Sequence, residues 1–132
     1  MLTLVPALID AYAAAHSAPE SALLRKLARE TFAEMELPQM QVGRVEGAFL
    51  RLLVRLSRAR RVLEIGTFTG YSALVMAEGL PPGGRLVTCD IDPEATAMAR
   101  RFWARSPHGG KIELKLGPAL KTLQGLKGGF DL

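Results

Sequence analysis

Glu64, Gly66, Thr67, Gly70 and Ser72 fall within one stretch, Arg61-Val62-Leu63-Glu64-Ile65-Gly66-Thr67-Phe68-Thr69-Gly70-Tyr71-Ser72. The glycines admit positive φ and let a ligand approach the backbone with no Cβ in the way. If a helix starts after Gly70, its free N–H groups and dipole make a seat for an anion, with Thr69 and Ser72 able to satisfy some of those groups. Glu64 changes the reading. A corner that must accept a pyrophosphate avoids acid, whereas a carboxylate there suits a ligand carrying an ammonium group beside a carboxylate. Downstream, Arg85-Leu86-Val87-Thr88-Cys89-Asp90 ends in a second acid, twenty residues after Gly70. An acid at the tip of a second strand can accept hydrogen bonds from both hydroxyls of a ribose. The two halves together describe a site for an amino acid joined to a nucleoside.

Elements of a definite kind must position these groups. Val62, Leu63 and Ile65 supply the branched apolar side chains of a central parallel strand. Strands are expected near Arg61 to Gly66, Arg85 to Asp90 and Lys111 to Leu116, alternating with helices from Tyr71 to Leu80 and Pro93 to about Arg105. Right-handed crossovers then give a parallel half-sheet in the spatial order third, second, first. Ahead of it, helices are expected from Leu4 to about His16, from a cap at Ser17 or Ser21 to about Met35, and from Gly43 to Ser57. Pro38 and Pro81-Pro82-Gly83-Gly84 are breaks. Asp92, directly before Pro93, reads as a helix N-cap.

The chain has 132 residues, 48% of them hydrophobic, enough for one core. No run approaches a membrane span, and Asp10 interrupts the position of a signal peptide's apolar centre, so a cytoplasmic protein is expected. The single cysteine, Cys89, excludes an internal disulfide framework and reads as core. A net charge of +4 raises nucleic acid as a partner. Arg44, Arg51, Arg55 and Arg58 share a helix face opposite Val45, Ala48, Phe49, Leu52, Leu53 and Leu56, which reads as a solvated face on an amphipathic helix. No aromatic residues interleave with those arginines, so nucleic acid is not expected. His16 and His108 read as surface groups, and Phe102 with Trp103 as packing.

Val62-Leu63-Glu64-Ile65-Gly66-Thr67-Phe68-Thr69-Gly70-Tyr71-Ser72, then Cys89-Asp90-Ile91-Asp92-Pro93, then Leu116-Gly117-Pro118-Ala119-Leu120, resemble the S-adenosylmethionine-dependent, cation-dependent O-methyltransferases of the caffeoyl-CoA and catechol type. The resemblance runs from about Met40 to the end. It implies a Rossmann-like class I methyltransferase fold, α/β, with a partial parallel sheet (strand order 3-2-1) behind N-terminal helices. It further implies that Glu64, the backbone at Gly66 and Thr67, and Ser72 hold the methionine portion of S-adenosylmethionine. Asp90 takes the ribose, Ala119 lies against the adenine and Val42 closes over the methionine end. No catalytic residue and no metal ligand is assigned.

In the family pattern the metal-binding aspartate, the other ligands of the divalent cation and most of the acceptor surface follow Leu132. The resemblance therefore implies one domain, residues 1–132, cut to the cofactor-binding part, with N-terminal helices in residues 1–58 and the α/β core in residues 59–132. The family's next strand begins near Phe130 and pairs with the first strand. A small-molecule acceptor, catechol-like, and a homodimer are implied as well. Two other classes stay open: a non-catalytic binding or dimerisation module, and a nicotinamide-dependent dehydrogenase. Glu64 and the Gly66 to Gly70 spacing count against the dehydrogenase.

Overall fold

Side chains branched at Cβ, Val62, Ile65, Val87 and Ile112, favour extended backbone, and the computed structural model, which describes residues 4–132, places them with Leu63, Leu86 and Leu114 in three strands. These are β1 (Arg61–Ile65), β2 (Arg85–Asp90) and β3 (Ile112–Leu116). They form a parallel sheet in the order β1-β2-β3, with Val62 opposite Leu86, Glu64 opposite Thr88, and Thr88 opposite Leu114. The expected order therefore holds. Helix α4 (Tyr71–Gly79) makes the crossover from β1 to β2, and α5 (Pro93–Trp103) that from β2 to β3.

Side chains alternate across a strand, so Val62, Glu64, Leu86, Thr88, Ile112 and Leu114 share a face. Val62 and Leu86 join the buried core with Leu74 and Val75 of α4 and Met98, Ala99 and Phe102 of α5. Leu63, Ile65, Val87 and Cys89 point the other way. There α6 (Ala119–Gly125), a helix the sequence reading did not include, approaches β2, and Ile65 stays 61% exposed. One face of the sheet is deeply covered and the other only in part.

The N-terminal helices are α1 (Ala7–His16), α2 (Ala22–Glu34) and α3 (Arg44–Leu56). The first begins after Pro6 rather than at Leu4, because a proline starts a helix easily but cannot sit within one. Ser21, not Ser17, caps α2, its hydroxyl accepting the Leu24 N–H. Leu24 and Leu27 are wholly buried. Helix α3 departs from its pattern. Gly47 and Val54 face α4, while Phe49, Leu52 and Leu56 are 56%, 49% and 71% exposed. Small residues allow close helix approach: a Cβ on Gly47 would lie 3.0 Å from the Tyr71 ring, and one on Gly79 3.1 Å from the Arg51 carbonyl oxygen.

At the chain's end, the Leu63 N–H donates to the Leu132 carbonyl at 2.9 Å and the Asp131 N–H to the Arg61 carbonyl at 2.8 Å. The pairing expected of the segment near Phe130 is therefore present along β1. Asp131 Oδ2 accepts the N–H groups of Arg60 and Arg61, which hold its carboxyl below the usual range. The Arg61 guanidinium lies over the Phe130 ring and donates to the carbonyls of Gly129 and Lys127.

Candidate functional site

The turn after β1 depends on two glycines in the left-handed region. Gly66, at φ 97°, has nothing within 4 Å of where a Cβ would stand, so its backbone is open to a ligand. Gly70, at φ 83°, begins α4, and a Cβ there would fall 2.6 Å from that of Ala99 and 2.7 Å from Trp103 Nε1. Trp103 donates from Nε1 to the Gly70 carbonyl at 3.1 Å, so α5 holds the end of the turn.

Asp90, at the tip of β2, holds the middle. Its Oδ2 accepts the N–H groups of Thr67 at 2.8 Å and Phe68 at 2.7 Å, and its Oδ1 those of Ile91 at 2.7 Å and Asp92 at 2.9 Å. This pairing accompanies a left-handed Phe68, φ 49°, an uncommon conformation for a residue with a side chain. The acid expected to take a ribose is thus also the clamp between the two loops that flank it.

Glu64 is the electrostatic centre. Ser72 donates to its Oε1 and Thr88 to its Oε2, each at 2.5 Å, and Thr88 Oγ1 lies 2.6 Å from Thr67 Oγ1. Among the described residues no lysine, arginine or histidine pairs with it. Burial pushes its carboxyl up to about 7, the Ser72 and Thr88 hydroxyls pull it down, and the Asp90 charge adds to the rise. Burial, with the Glu64 charge beside it, also raises the Cys89 thiol.

Two cavities meet at the turn, sharing Met40, Gly66 and Phe68. A small one, of about 70 Å³, is lined by Gln41, Val42, Thr67, Thr69, Tyr71 and Ser72 as well. The larger, of about 580 Å³, lies between the end of α2 and the Asp90 loop, and its lining includes Glu34, Glu36, Asp90, Asp92 and Glu94 but no basic residue. Five carboxylates and no cation disfavour a pyrophosphate and favour a positively charged ligand.

Val42, Gly66, Thr67, Ser72 and Asp90 therefore gather around these cavities, with Glu64 joined through Ser72. Ala119 lines neither. It opens α6 two residues after Gly117, whose N–H donates to the Asp90 carbonyl at 2.8 Å. Unforeseen in the sequence were the α2 wall and Thr88. The alternation of β2 places Thr88 on the inward face opposite Glu64, and that was the available signal.

Against known proteins, residues 14–132 match the O-methyltransferase family. This chain belongs to that family. It is 45% identical over 98 residues to a catechol O-methyltransferase of Mycobacterium tuberculosis, covering 74% of this chain and 44% of that protein. It is 36% identical over 115 residues to a probable caffeoyl-CoA O-methyltransferase 2 of Dictyostelium discoideum, covering 87% and 50%. Among solved structures, the O-methyltransferase TomG of Streptomyces achromogenes, in complex with SAM, superposes with a TM-score of 0.83 at 38% identity, covering 90% of this chain and 53% of that one. The chain spans about half the length of the curated relatives it matches.

Within this O-methyltransferase-family chain, three expectations about side chains are corrected. Neither Thr69 nor Ser72 caps α4. Thr69 shares a hydrogen bond with the buried Thr31 of α2 at 2.8 Å, and Ser72 donates to Glu64, the stronger acceptor. Arg51 is not solvated, since its side chain is 14% exposed and pairs with Glu78 at 2.9 Å; Arg44 donates to the Ala14 carbonyl at 2.6 Å. His108 is half-buried, with its Nδ1 3.2 Å from Lys111 Nζ, which also donates to the Ala77 and Leu80 carbonyls at the end of α4. His16 is exposed and stacks on Tyr12. Asp92 caps α5, its Oδ1 accepting the N–H groups of Glu94 and Ala95.

Proposed function

We propose that this chain binds S-adenosylmethionine, and that the full-length protein transfers its methyl group to a small-molecule hydroxyl, catechol-like by the family resemblance. The observation that carries this reading is Glu64: a half-buried carboxylate with no cation beside it, at an open glycine turn. A ligand that brings its own positive charge pairs that carboxylate in its ionised form. The amino-acid end of the cofactor has an ammonium for Glu64. Its carboxylate meets the free N–H groups at the start of α4 and the Ser72 region.

Each remaining site residue has a part in holding the ligand. Asp90 accepts the ribose hydroxyls beside its backbone donors, Gly66 and Thr67 offer main chain, Val42 covers the methionine end and Ala119 borders the adenine. When bound, the cofactor supplies a methyl group on a positively charged sulfur that leaves as a neutral thioether. This chain's contribution is position: a fixed methyl carbon facing an acceptor oxygen, with the acidic wall favouring the cationic form of the ligand. Among the described residues no group of three or more His, Cys, Asp and Glu side chains is arranged to hold a metal ion. The divalent cation of the resemblance is accordingly proposed for the full-length protein alone, and no step is routed through it.

We take residues 1–132 as a single cofactor-binding domain, self-associating through the apolar outer sides of α1 and α3. Leu8 and Tyr12 are 85% and 65% exposed there, alongside Phe49, Leu52 and Leu56. A cytoplasmic location accords with one free, buried cysteine; among the described residues no helix is long and apolar enough to cross a membrane. Titration calorimetry with S-adenosylhomocysteine, the demethylated product, and with NAD tests the cofactor reading. Heat with the first and none with the second is expected. The reverse would reinstate the dehydrogenase.

A further inference from the structure

Thr88 and Thr67 are assigned no part in holding the ligand's charge through their side chains, yet both are buried polar groups, 0% and 2% exposed. Each hydroxyl has one proton to give. Thr88 donates its proton to Glu64 Oε2, so in the 2.6 Å contact between the two threonines Thr67 must be the donor. With Ser72 on Oε1, the chain runs one way, Thr67 to Thr88 to Glu64, and every link suits an ionised carboxylate. If Glu64 is protonated on Oε2, it donates to Thr88, Thr88 turns to Thr67, and the Thr67 proton needs an acceptor elsewhere. The ionised carboxylate thus keeps every link of the relay, whereas a proton on Oε2 breaks one.

We propose, building on the cofactor reading above, that Thr88 and Thr67 are positioning residues whose hydroxyl relay holds Glu64 ionised and aimed at the ligand's ammonium group. Neither hydroxyl need touch that ammonium. The geometry separates the contacts: Thr88, in register with Glu64 across β1 and β2, meets Oε2, whereas Ser72 of α4 meets Oε1. The charged and titratable groups around Glu64 are few. Asp90 on β2 opposes its ionisation, Cys89 points to the opposite face with Lys115 near it, and α4 presents Ser72. Thr88 and Ser72 are the groups that favour the charge, against burial and Asp90.

The test compares Thr88→Val, nearly isosteric, with wild type over pH 5.5 to 9, using two ligands. S-adenosylhomocysteine carries the ammonium; 5′-methylthioadenosine keeps the adenosine and thioether and lacks the amino-acid end. For the variant, affinity for S-adenosylhomocysteine should fall about tenfold or more at neutral pH, and the pH midpoint of its binding should move up, by the loss of one hydrogen bond to a charged group. Affinity for 5′-methylthioadenosine should stay within about twofold, since that ligand makes no demand on the Glu64 charge. Thr88→Ser should restore both the affinity and the midpoint. Equal losses for the two ligands, or an unmoved midpoint, overturn the relay while leaving the cofactor reading intact. A wild type that binds no S-adenosylhomocysteine overturns both. Should Thr88→Val fail to fold, Thr67→Ala, one link further out, carries the same expectations at smaller size, and the same two results overturn the proposal.

Discussion

The sheet's covered face and the outer side of the N-terminal helices use similar residues to opposite ends. Between the sheet, α4 and α5, the side chains of Leu74, Leu86, Met98 and Phe102 are enclosed, and the buried polar groups around them are partnered: Thr31 of α2 with Thr69, Thr67 with Thr88, Thr88 with Glu64. No buried side-chain nitrogen or oxygen among the described residues lacks a hydrogen bond. On α1 and α3 the apolar stripe points outward, and α1 buries no residue at all. The contrast separates two tasks. The inner region must be rigid to hold Gly66, Glu64 and Asp90 in register, whereas the outer helices contribute a wall and a surface. Apolar area left exposed on such a surface favours association.

The strongest way to break that comparison is to cut the core. Phe102→Ala, at a fully buried site, should cost about 3 to 5 kcal/mol in denaturant unfolding, and a loss below about 1 would mean the interior is loosely packed. A finer probe is pH. Because the Glu64 carboxyl rises in the folded state from 4.5 to about 7, its contribution is fully present below pH 4.5 and is lost as pH rises through 7. The difference is at most about 3 kcal/mol, reduced by the group's residual exposure. Glu64→Gln should flatten that part of the stability profile; a variant profile parallel to wild type would remove Glu64 as its source.

Asp90 tests whether the inner rigidity serves binding. Asp90→Ala should weaken S-adenosylhomocysteine by about 1 to 3 kcal/mol in calorimetry, through unpaired polar groups at the ribose and a released turn. Equal affinity would take it out of the site. The smallest expected effect belongs to the outer helices. Phe49→Ser and Leu56→Ser should each change monomer stability by only about 0.5 kcal/mol, being exposed. Together they should shift sedimentation toward monomer, and an unchanged distribution would place any self-association elsewhere.

Much of this architecture was legible because its causes are local. The β1 run of branched residues, the positive-φ positions at Gly66 and Gly70 and the Asp92-Pro93 start of α5 each depend on near neighbours, and each lies where short-range rules put it. Glu64 and Asp90 stood out for a related reason: an acid at a strand end before a turn needs partners, which backbone N–H groups supply at Asp90 and two hydroxyls at Glu64. What the tertiary structure decided concerns distance. Helix α3 has an amphipathic period, but its partner across the contact, α4, demands close approach, so Gly47 outranked Phe49 and Leu52 for the inner side. Arg51 became half-buried because Glu78, on another helix, neutralises it. The Thr67–Thr88–Glu64 chain exists because β1 and β2 align Glu64 with Thr88, a register no periodicity within either strand encodes. Side-chain period is a property of one segment, whereas which face is buried, and which hydroxyl meets which carboxylate, is settled by the segment that packs against it.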